Sequence, residues 1–160
     1  MIVVIMGVTA CGKSTVGKLL AQQLSVPFIE GDEFHPPENI LKMSTGTPLT
    51  DEDRYPWLEA LSRELKIREQ QGGAVLACSA LKEVYREILQ RPLHEKITWI
   101  YLEASESVLR ERIRKRNGHF MPEELLHSQL ITLEIPSYAY CFSIEKEPET
   151  IVKKIVQLID

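Results

Sequence analysis

A glycine-bounded loop set between an apolar run and a helical pattern constrains this chain more than any other stretch. Gly7-Val8-Thr9-Ala10-Cys11-Gly12-Lys13-Ser14 follows Ile2-Val3-Val4-Ile5-Met6 and leads into Thr15-Val16-Gly17-Lys18-Leu19-Leu20. The spacing is that of the phosphate-binding loop, G-x-x-x-x-G-K-[ST]. Its glycines let the chain curl so that successive backbone N–H groups face inward at an anion, where side chains would block the approach. A helix opening near Lys13 adds its unpaired N–H groups and positive dipole end. Lys13 is placed to reach the β- and γ-phosphates, and the Ser14 hydroxyl to meet Mg²⁺. Residues Gly7, Val8, Thr9, Ala10, Cys11, Gly12, Lys13, Ser14 and Thr15 are therefore expected to hold a nucleoside triphosphate. The motif specifies a ligand and leaves the reaction open.

The 160 residues are about one domain's length and enough to bury a sizeable core. With 19 basic and 23 acidic residues and no basic tract, the chain offers no electrostatic footprint for nucleic acid or a membrane surface. It opens on Met1 directly into a strand-like run, with no cleavable leader and no bilayer-length apolar segment, which points to a cytoplasmic protein. Cys11, Cys78 and Cys141 are odd in number and lack C-x-x-C spacing, so they read as free thiols rather than disulfide or zinc ligands. Cys11 and Cys78 are expected to be small packed residues, with reactivity of Cys11 left to be tested.

Apolar runs alternate with helical patterns along the whole chain. Strands are expected at residues 2–6, 26–29, 74–78, 97–102 and, more weakly, 139–144. Helices are expected over about 13–24, from the acidic start at 51–53 through Leu65 to the Gly72-Gly73 stop, and over 81–90. Others are expected over 105–116 with Ser105 as N-cap, from Pro122, and over 149–159. Alternation of this kind means a parallel sheet with helices on both faces, a three-layer α/β fold.

Companions of the loop narrow the chemistry. No guanine-reading N-K-x-D and no D-x-x-G after an apolar strand appears, so a switch GTPase is not indicated. The buried run ends Leu76-Ala77-Cys78-Ser79 without the carboxylate that many phosphate-loop ATPases carry there. The available acids are Glu30 and Asp32. Two apart on a strand, they would share a face and line one pocket. One carboxylate could order hydrated Mg²⁺, here Glu30 through water, and the other, Asp32, could take the proton from an attacking hydroxyl.

The longest motif adds a family resemblance. Gly31-Asp32-Glu33-Phe34-His35-Pro36-Pro37-Glu38-Asn39, then Lys42-Met43, Gly46, Pro48-Leu49, Asp51, Asp53-Arg54 and Pro56-Trp57-Leu58 resemble the G-D-x-x-H-P-x-x-N … K-M-x-x-G-x-P-L-x-D-x-D-R-x-P-W-L signature of the P-loop gluconokinases. Cys78-Ser79-Ala80-Leu81-Lys82 with Tyr85-Arg86 resembles that family's C-S-A-L-K-x-x-Y-R, and Gly118-His119-Phe120 its lid segment. The resemblance spans Gly7 to about Pro136. It implies ATP-dependent phosphorylation of D-gluconate to 6-phospho-D-gluconate on a nucleoside-monophosphate-kinase-like fold with strands ordered 2-3-1-4-5. It also implies a single domain over 1–160, a substrate-closing region at about 33–58 and a lid at about 116–124. Three positions depart from the pattern: Glu30 for the usual Asp, Ile131 for an acidic residue, and Cys11 for a small Ser or Gly.

Within that resemblance Asp32, His35, Arg54, Ser79, Lys82, Arg86 and His119 are the candidate gluconate contacts. Arg54 has a planar fork suited to the carboxylate. Arg86 stays open between substrate contact and a solvated basic face, and His35 between a polyol contact and a packed turn residue. Lys82 and Arg86, four apart, are expected on one helix face. In the basic segment Arg112 and Arg116 align with the family's lid-helix arginines, leaving Arg110 and Arg114 as the solvent-facing pair. Lys13, Asp32 and Arg116 are the expected catalytic set, Arg112 and Arg116 join the loop in binding ATP, and Ser14 and Glu30 serve the metal. A kinase for another hydroxy acid such as shikimate, or a non-catalytic ATP-binding module, remains the alternative, and homodimerisation stays open.

Overall fold

The computed structural model describes residues 1–116 and 123–160. Five parallel strands, β1 (Ile2–Met6), β2 (Phe28–Glu30), β3 (Ala74–Ala77), β4 (Thr98–Glu103) and β5 (Tyr140–Ser143), stand in the order β2-β3-β1-β4-β5. The order expected from the family resemblance is the order observed. β1 and β3 are buried along their whole length, as continuous apolar runs in the middle of a covered parallel sheet should be.

Seven α-helices among the described residues flank the sheet: α1 (Lys13–Leu24), α2 (Pro37–Ser44), α3 (Asp51–Gln70), α4 (Glu83–Gln90), α5 (Glu106–Lys115), α6 (Glu124–Thr132) and α7 (Pro148–Ile159). α1 packs against α7 and α3 against α4, giving the two helical layers. A single core runs through all three layers, with Trp57, Leu58, Leu61 and Leu65 of α3 and Tyr85 and Leu89 of α4 set against the strands. A small separate cluster, Met43, Leu49 and Leu125, joins α2 and the loop after it to α6.

Several boundaries moved for physical reasons. β2 begins at Phe28 rather than Val26, one residue past Pro27, which has no N–H for the ladder. α3 starts at Asp51 because Thr50 closes a capping box, its hydroxyl accepting from Asp53 N at 3.1 Å while Asp53 Oδ2 accepts from Thr50 N at 2.8 Å. The helix runs through Pro56; that residue and Glu52, whose carbonyl loses its helical partner, are both exposed to water. α4 starts at Glu83, two residues later than expected, with Lys82 as an extended N-cap at φ −108° and ψ 153°. α2 and the 3-10 turn Gly31–Phe34 had no counterpart in the sequence reading.

The turn after β2 works only with glycine. A Cβ on Gly31 would collide with the Ala77 carbonyl oxygen of β3. Gly31→Ala should therefore destabilise the fold by about 1–3 kcal/mol, as overpacking does; urea unfolding of the variant beside the parent measures it.

Candidate active site

The phosphate loop leaves β1 through Gly7, at φ 148°, and enters α1 through Gly12, at φ 94°. A Cβ at Gly7 would stand 2.8 Å from Cys11 Sγ and 3.1 Å from Leu102 O, so the first glycine serves the close packing of loop on sheet. Between them Ala10 is left-handed at φ 65°, a conformation that costs a non-glycine residue roughly 1 kcal/mol or more. The first turn of α1 carries no acidic residue, so its N–H groups and dipole end face the loop's concavity without a competing carboxylate. Lys13 folds over the loop, Nζ donating to Val8 O at 2.9 Å.

Two groups from distant parts of the chain brace the loop. Thr9 N donates to Gln129 Oε1 of α6 at 2.7 Å in a buried bond, and Arg112 Nη1 of α5 donates to Ala10 O at 3.3 Å. Gln129 was not among the residues singled out from sequence. A neutral amide on a mostly apolar helix carries no chemical signal, and attention there had gone to Ile131, which is 72% exposed.

The acids are arranged differently from the strand-face expectation. Glu30 is the last residue of β2, in register with Ala77, whereas Asp32 lies in the 3-10 turn. The period-2 argument therefore does not apply; what gathers both acids at the loop is the sharp turn at Gly31. Ser14 Oγ donates to Glu30 Oε2 in a short hydrogen bond. Asp32 lines a cleft whose near side is Lys13, Ser14 and Thr15, and whose far side includes His35, Arg54 and Ser79. Arg116, the residue after α5, closes the same cleft.

The far wall is built on Trp57. Its indole N–H donates to Gly31 O at 2.8 Å, and His35 stacks on it with ring centres 4.1 Å apart and planes 16° from parallel. Burial pushes the His35 imidazole down to about 4, with Arg54 adding to the effect and Asp32 opposing it, so His35 is neutral at pH 7. Arg54 is only 8% exposed. Its Nη1 donates to Leu49 O at 2.8 Å and to Tyr85 Oη at 3.1 Å. Tyr85 in turn donates to Asp51 in a short bond. That bond and the Lys82 ammonium hold the Asp51 carboxyl below its ordinary range, while burial and Asp51 push the Tyr85 phenol up to about 12. Asp53, bonded to Lys42 Nζ at 2.6 Å and to Thr50 N, is held down to about 2.

Lys82 and Arg86 do not line the cleft. Lys82 Nζ lies 3.1 Å from Asp51 Oδ1, separated from Arg54 by Asp51 and Tyr85. Arg86 is 2% exposed and donates to Ala80 O at 2.7 Å, Glu134 O at 2.9 Å, Tyr138 Oη at 2.9 Å and Glu83. The two side chains were expected on one helix face, but Lys82 is an extended cap residue, so the i, i+4 relation fails. Arg86 is neither a solvated cation nor a cleft residue; it ties α4 to the segment after α6.

Arg110 and Arg114 both bond Glu123 Oε1, at 3.0 and 3.1 Å, joining α5 to the residue before α6. His119, and most of the lid expected at 116–124, lie outside the described residues. A second groove, bounded by Cys11, Gly12, Thr15, Arg112 and the Ile144–Pro148 connection into α7, shares Gly12 and Thr15 with the cleft, so the two run together along the loop. Among the described residues no cluster of three or more His, Cys, Asp or Glu has metal-binding spacing, and no helix is long and apolar enough to cross a membrane.

A phosphate loop, one acid at the end of β2 and another in the turn after it, and a facing wall that carries a buried arginine are the parts of a small-molecule kinase of the phosphate-loop class. Residues 9–160 match the family model described as Shikimate kinase. The chain is 46% identical over 158 residues to a gluconokinase from Gluconobacter oxydans, covering 96% of this chain and 88% of that one. It is 40% identical to a gluconokinase from Arabidopsis thaliana, covering 99% and 92%. Among solved structures a gluconokinase from Sinorhizobium meliloti superimposes with a TM-score of 0.86 at 46% identity, over 97% of this chain and 89% of that one. A shikimate kinase from Aquifex aeolicus, at 21% identity and a TM-score of 0.68 over 98% and 95%, shares the fold. The chain belongs to the gluconokinase family, within the shikimate-kinase-like group.

The thiols give an early test. Cys11 is 1% exposed and packed against Gly7, and burial pushes the Cys78 thiol up to about 12; Cys141 is exposed. Titration of the native protein with a chromogenic disulfide should show one promptly reacting thiol, Cys141, and all three only in denaturant. Prompt reaction of Cys11 would mean that the loop opens far more readily than its packing allows.

Proposed function

We propose that this chain catalyses ATP-dependent phosphorylation of D-gluconate at its terminal hydroxyl, giving 6-phospho-D-gluconate and ADP. The observation that carries the reading is the position of Asp32, lining one cleft with Lys13 and Ser14 of the phosphate loop and with His35 and Arg54 of the acceptor wall. The relatives named gluconokinase supply the acceptor's identity.

In this mechanism the loop from Gly7 to Thr15 and Arg112 hold the nucleotide, and the groove beside Ile144–Pro148 takes its base. Arg54 pairs with the gluconate carboxylate, and one edge of its guanidinium is already fixed by Leu49 O and Tyr85. The terminal hydroxyl then lies at Asp32. Its proton passes to the Asp32 carboxylate, the oxygen forms a bond to the γ-phosphorus, and the bond to the β–γ bridging oxygen breaks in line. Lys13 and Arg116 meet the negative charge on the transferring group. Ser79 is the remaining cleft residue assigned to gluconate, and His119 keeps its assignment on the lid. Lys82 acts indirectly, through Asp51 and then Tyr85.

The donor set fits Mg²⁺: a serine hydroxyl in contact with a glutamate carboxylate is the kind of hard oxygen ligation that this ion takes. Ser14 would hold it directly and Glu30 through water, and the ion would neutralise charge on the β- and γ-phosphates. Residues 1–160 act as one kinase domain, with 33–58 closing the acceptor side and 116–124 forming a lid. Closure over gluconate expels water and limits wasteful ATP hydrolysis. A cytoplasmic location belongs to the same reading, and light scattering decides between a monomer and a homodimer.

ADP release should be followed across gluconate, other sugar acids, shikimate and nucleoside monophosphates. Gluconate should be preferred; preference for shikimate would instead favour the acceptor suggested by the family model. Asp32→Asn should lower kcat by about 10²-fold or more with little change in the ATP KM. Near-normal turnover would remove Asp32 from catalysis. Arg54→Met should raise the gluconate KM well beyond any change in the ATP KM, since it removes an acceptor clamp; equal effects on both would make Arg54 structural.

A further inference from the structure

The acceptor wall contains a device that fixes the proton on one histidine nitrogen. Asn39, on α2, is 4% exposed. Its Nδ2 lies 2.8 Å from the carbonyl oxygen of Asp53 and 3.2 Å from His35 Nδ1. A carbonyl oxygen can only accept, so the Asn39 atom facing Asp53 must be the amide nitrogen. That nitrogen has two hydrogens and no lone pair to offer, so the second hydrogen points at His35 Nδ1, which must be the bare, accepting nitrogen. The orientation of the amide is therefore dictated by Asp53, and the protonation of the imidazole by the amide.

Asp53 is itself well held. Its carboxylate bonds Lys42 Nζ and the Thr50 backbone, so the carbonyl that orients Asn39 belongs to a residue anchored to both α2 and the start of α3. The imidazole plane is set independently by the stack on Trp57. The charged groups facing His35 are Asp32 from the turn after β2 and Arg54 from α3, and burial keeps the ring uncharged at neutral pH.

We infer that Asn39 is a positioning residue which holds His35 as the neutral Nε2–H tautomer, a fixed hydrogen-bond donor to a hydroxyl oxygen of the polyol acceptor. The inference rests on the reading of this cleft as the acceptor site. A neutral Nε2–H can donate but cannot take up a proton there, so His35 orients the acceptor while Asp32 receives the proton. Such a donor also selects against acceptors that lack the hydroxyl it serves, because the buried N–H would be left unpaired.

The test uses the 160-residue chain labelled with ¹⁵N in its four histidines, with His35 assigned by comparison with His35→Gln. Two-bond ¹H–¹⁵N correlations distinguish the tautomers. The expected spectrum shows a protonated Nε2 and a bare Nδ1 at His35, unchanged between about pH 5.5 and 8. An Nδ1–H tautomer, or an imidazolium at pH 7, would overturn the inference, and this measurement needs no variant to fold except for assignment. Asn39→Asp places a carboxylate oxygen against Nδ1 and should draw a proton onto it. The gluconate KM should then rise about tenfold with the ATP KM nearly unchanged, the pattern of a lost acceptor contact. A tautomer as expected together with an unaltered gluconate KM in His35→Leu would overturn the donor role, whereas the acceptor-site reading fails separately, if Arg54→Met also leaves the gluconate KM unaltered.

Discussion

Gly31 is the constraint on which the far wall of the cleft depends. It sits where β2 ends, too close to the Ala77 carbonyl of β3 for any side chain, and its own carbonyl is held by the Trp57 indole. That single close approach turns the chain sharply enough to leave Glu30 on the strand against Ser14 and to carry Asp32 into the cleft. The same indole is the platform for His35. A larger residue at 31 would move both acids and the floor of the acceptor wall together.

Around this turn the charges are sorted rather than scattered. Arg54 is buried, and the group beside it is not a bare carboxylate but Tyr85, which passes the contact on to Asp51 and Lys82. A direct Arg54–Asp51 pair would spend the guanidinium on the protein's own acid; the intervening phenol supports Arg54 while leaving its charge to a ligand. Lys82 balances Asp51, and Lys42 balances Asp53. On the nucleotide side Gln129 and Arg112 grip the loop backbone at Thr9 and Ala10, so α6 and α5 are both in contact with the phosphate cradle. α6 also meets α2 through Met43, Leu49 and Leu125. The helices α2, α5 and α6 and the phosphate loop are thereby joined by contacts outside the main core.

Much of this was legible in the residues. The phosphate loop, the start of α1 at Lys13, the central strands and the Ser105 cap follow from local pattern, and the strand order from the family resemblance. What escaped was set by tertiary geometry. α2 is eight residues long and lies inside a motif read for its chemistry rather than its period. The backbone turn that separates Glu30 from Asp32 depends on β3, which is remote in sequence. For Arg86 neither open alternative, substrate contact or solvated face, holds, because its burial against Ala80 and Glu134 has no local signature. Asn39 and Gln129 are neutral amides whose importance lies wholly in what they face. Cys11, by contrast, is the small packed residue that its type leads one to expect, filling the space beside Gly7.

The central claim is that the cleft holds gluconate with its carboxylate toward Arg54 and its terminal hydroxyl at Asp32, facing the phosphate loop. Product analysis by ¹³C and ³¹P NMR on uniformly ¹³C-labelled gluconate with ATP tests it most directly. Phosphorus coupling confined to the terminal carbon and its neighbour is the predicted result. Phosphate on any other carbon, or ADP formed with no phosphorylated gluconate, would contradict it.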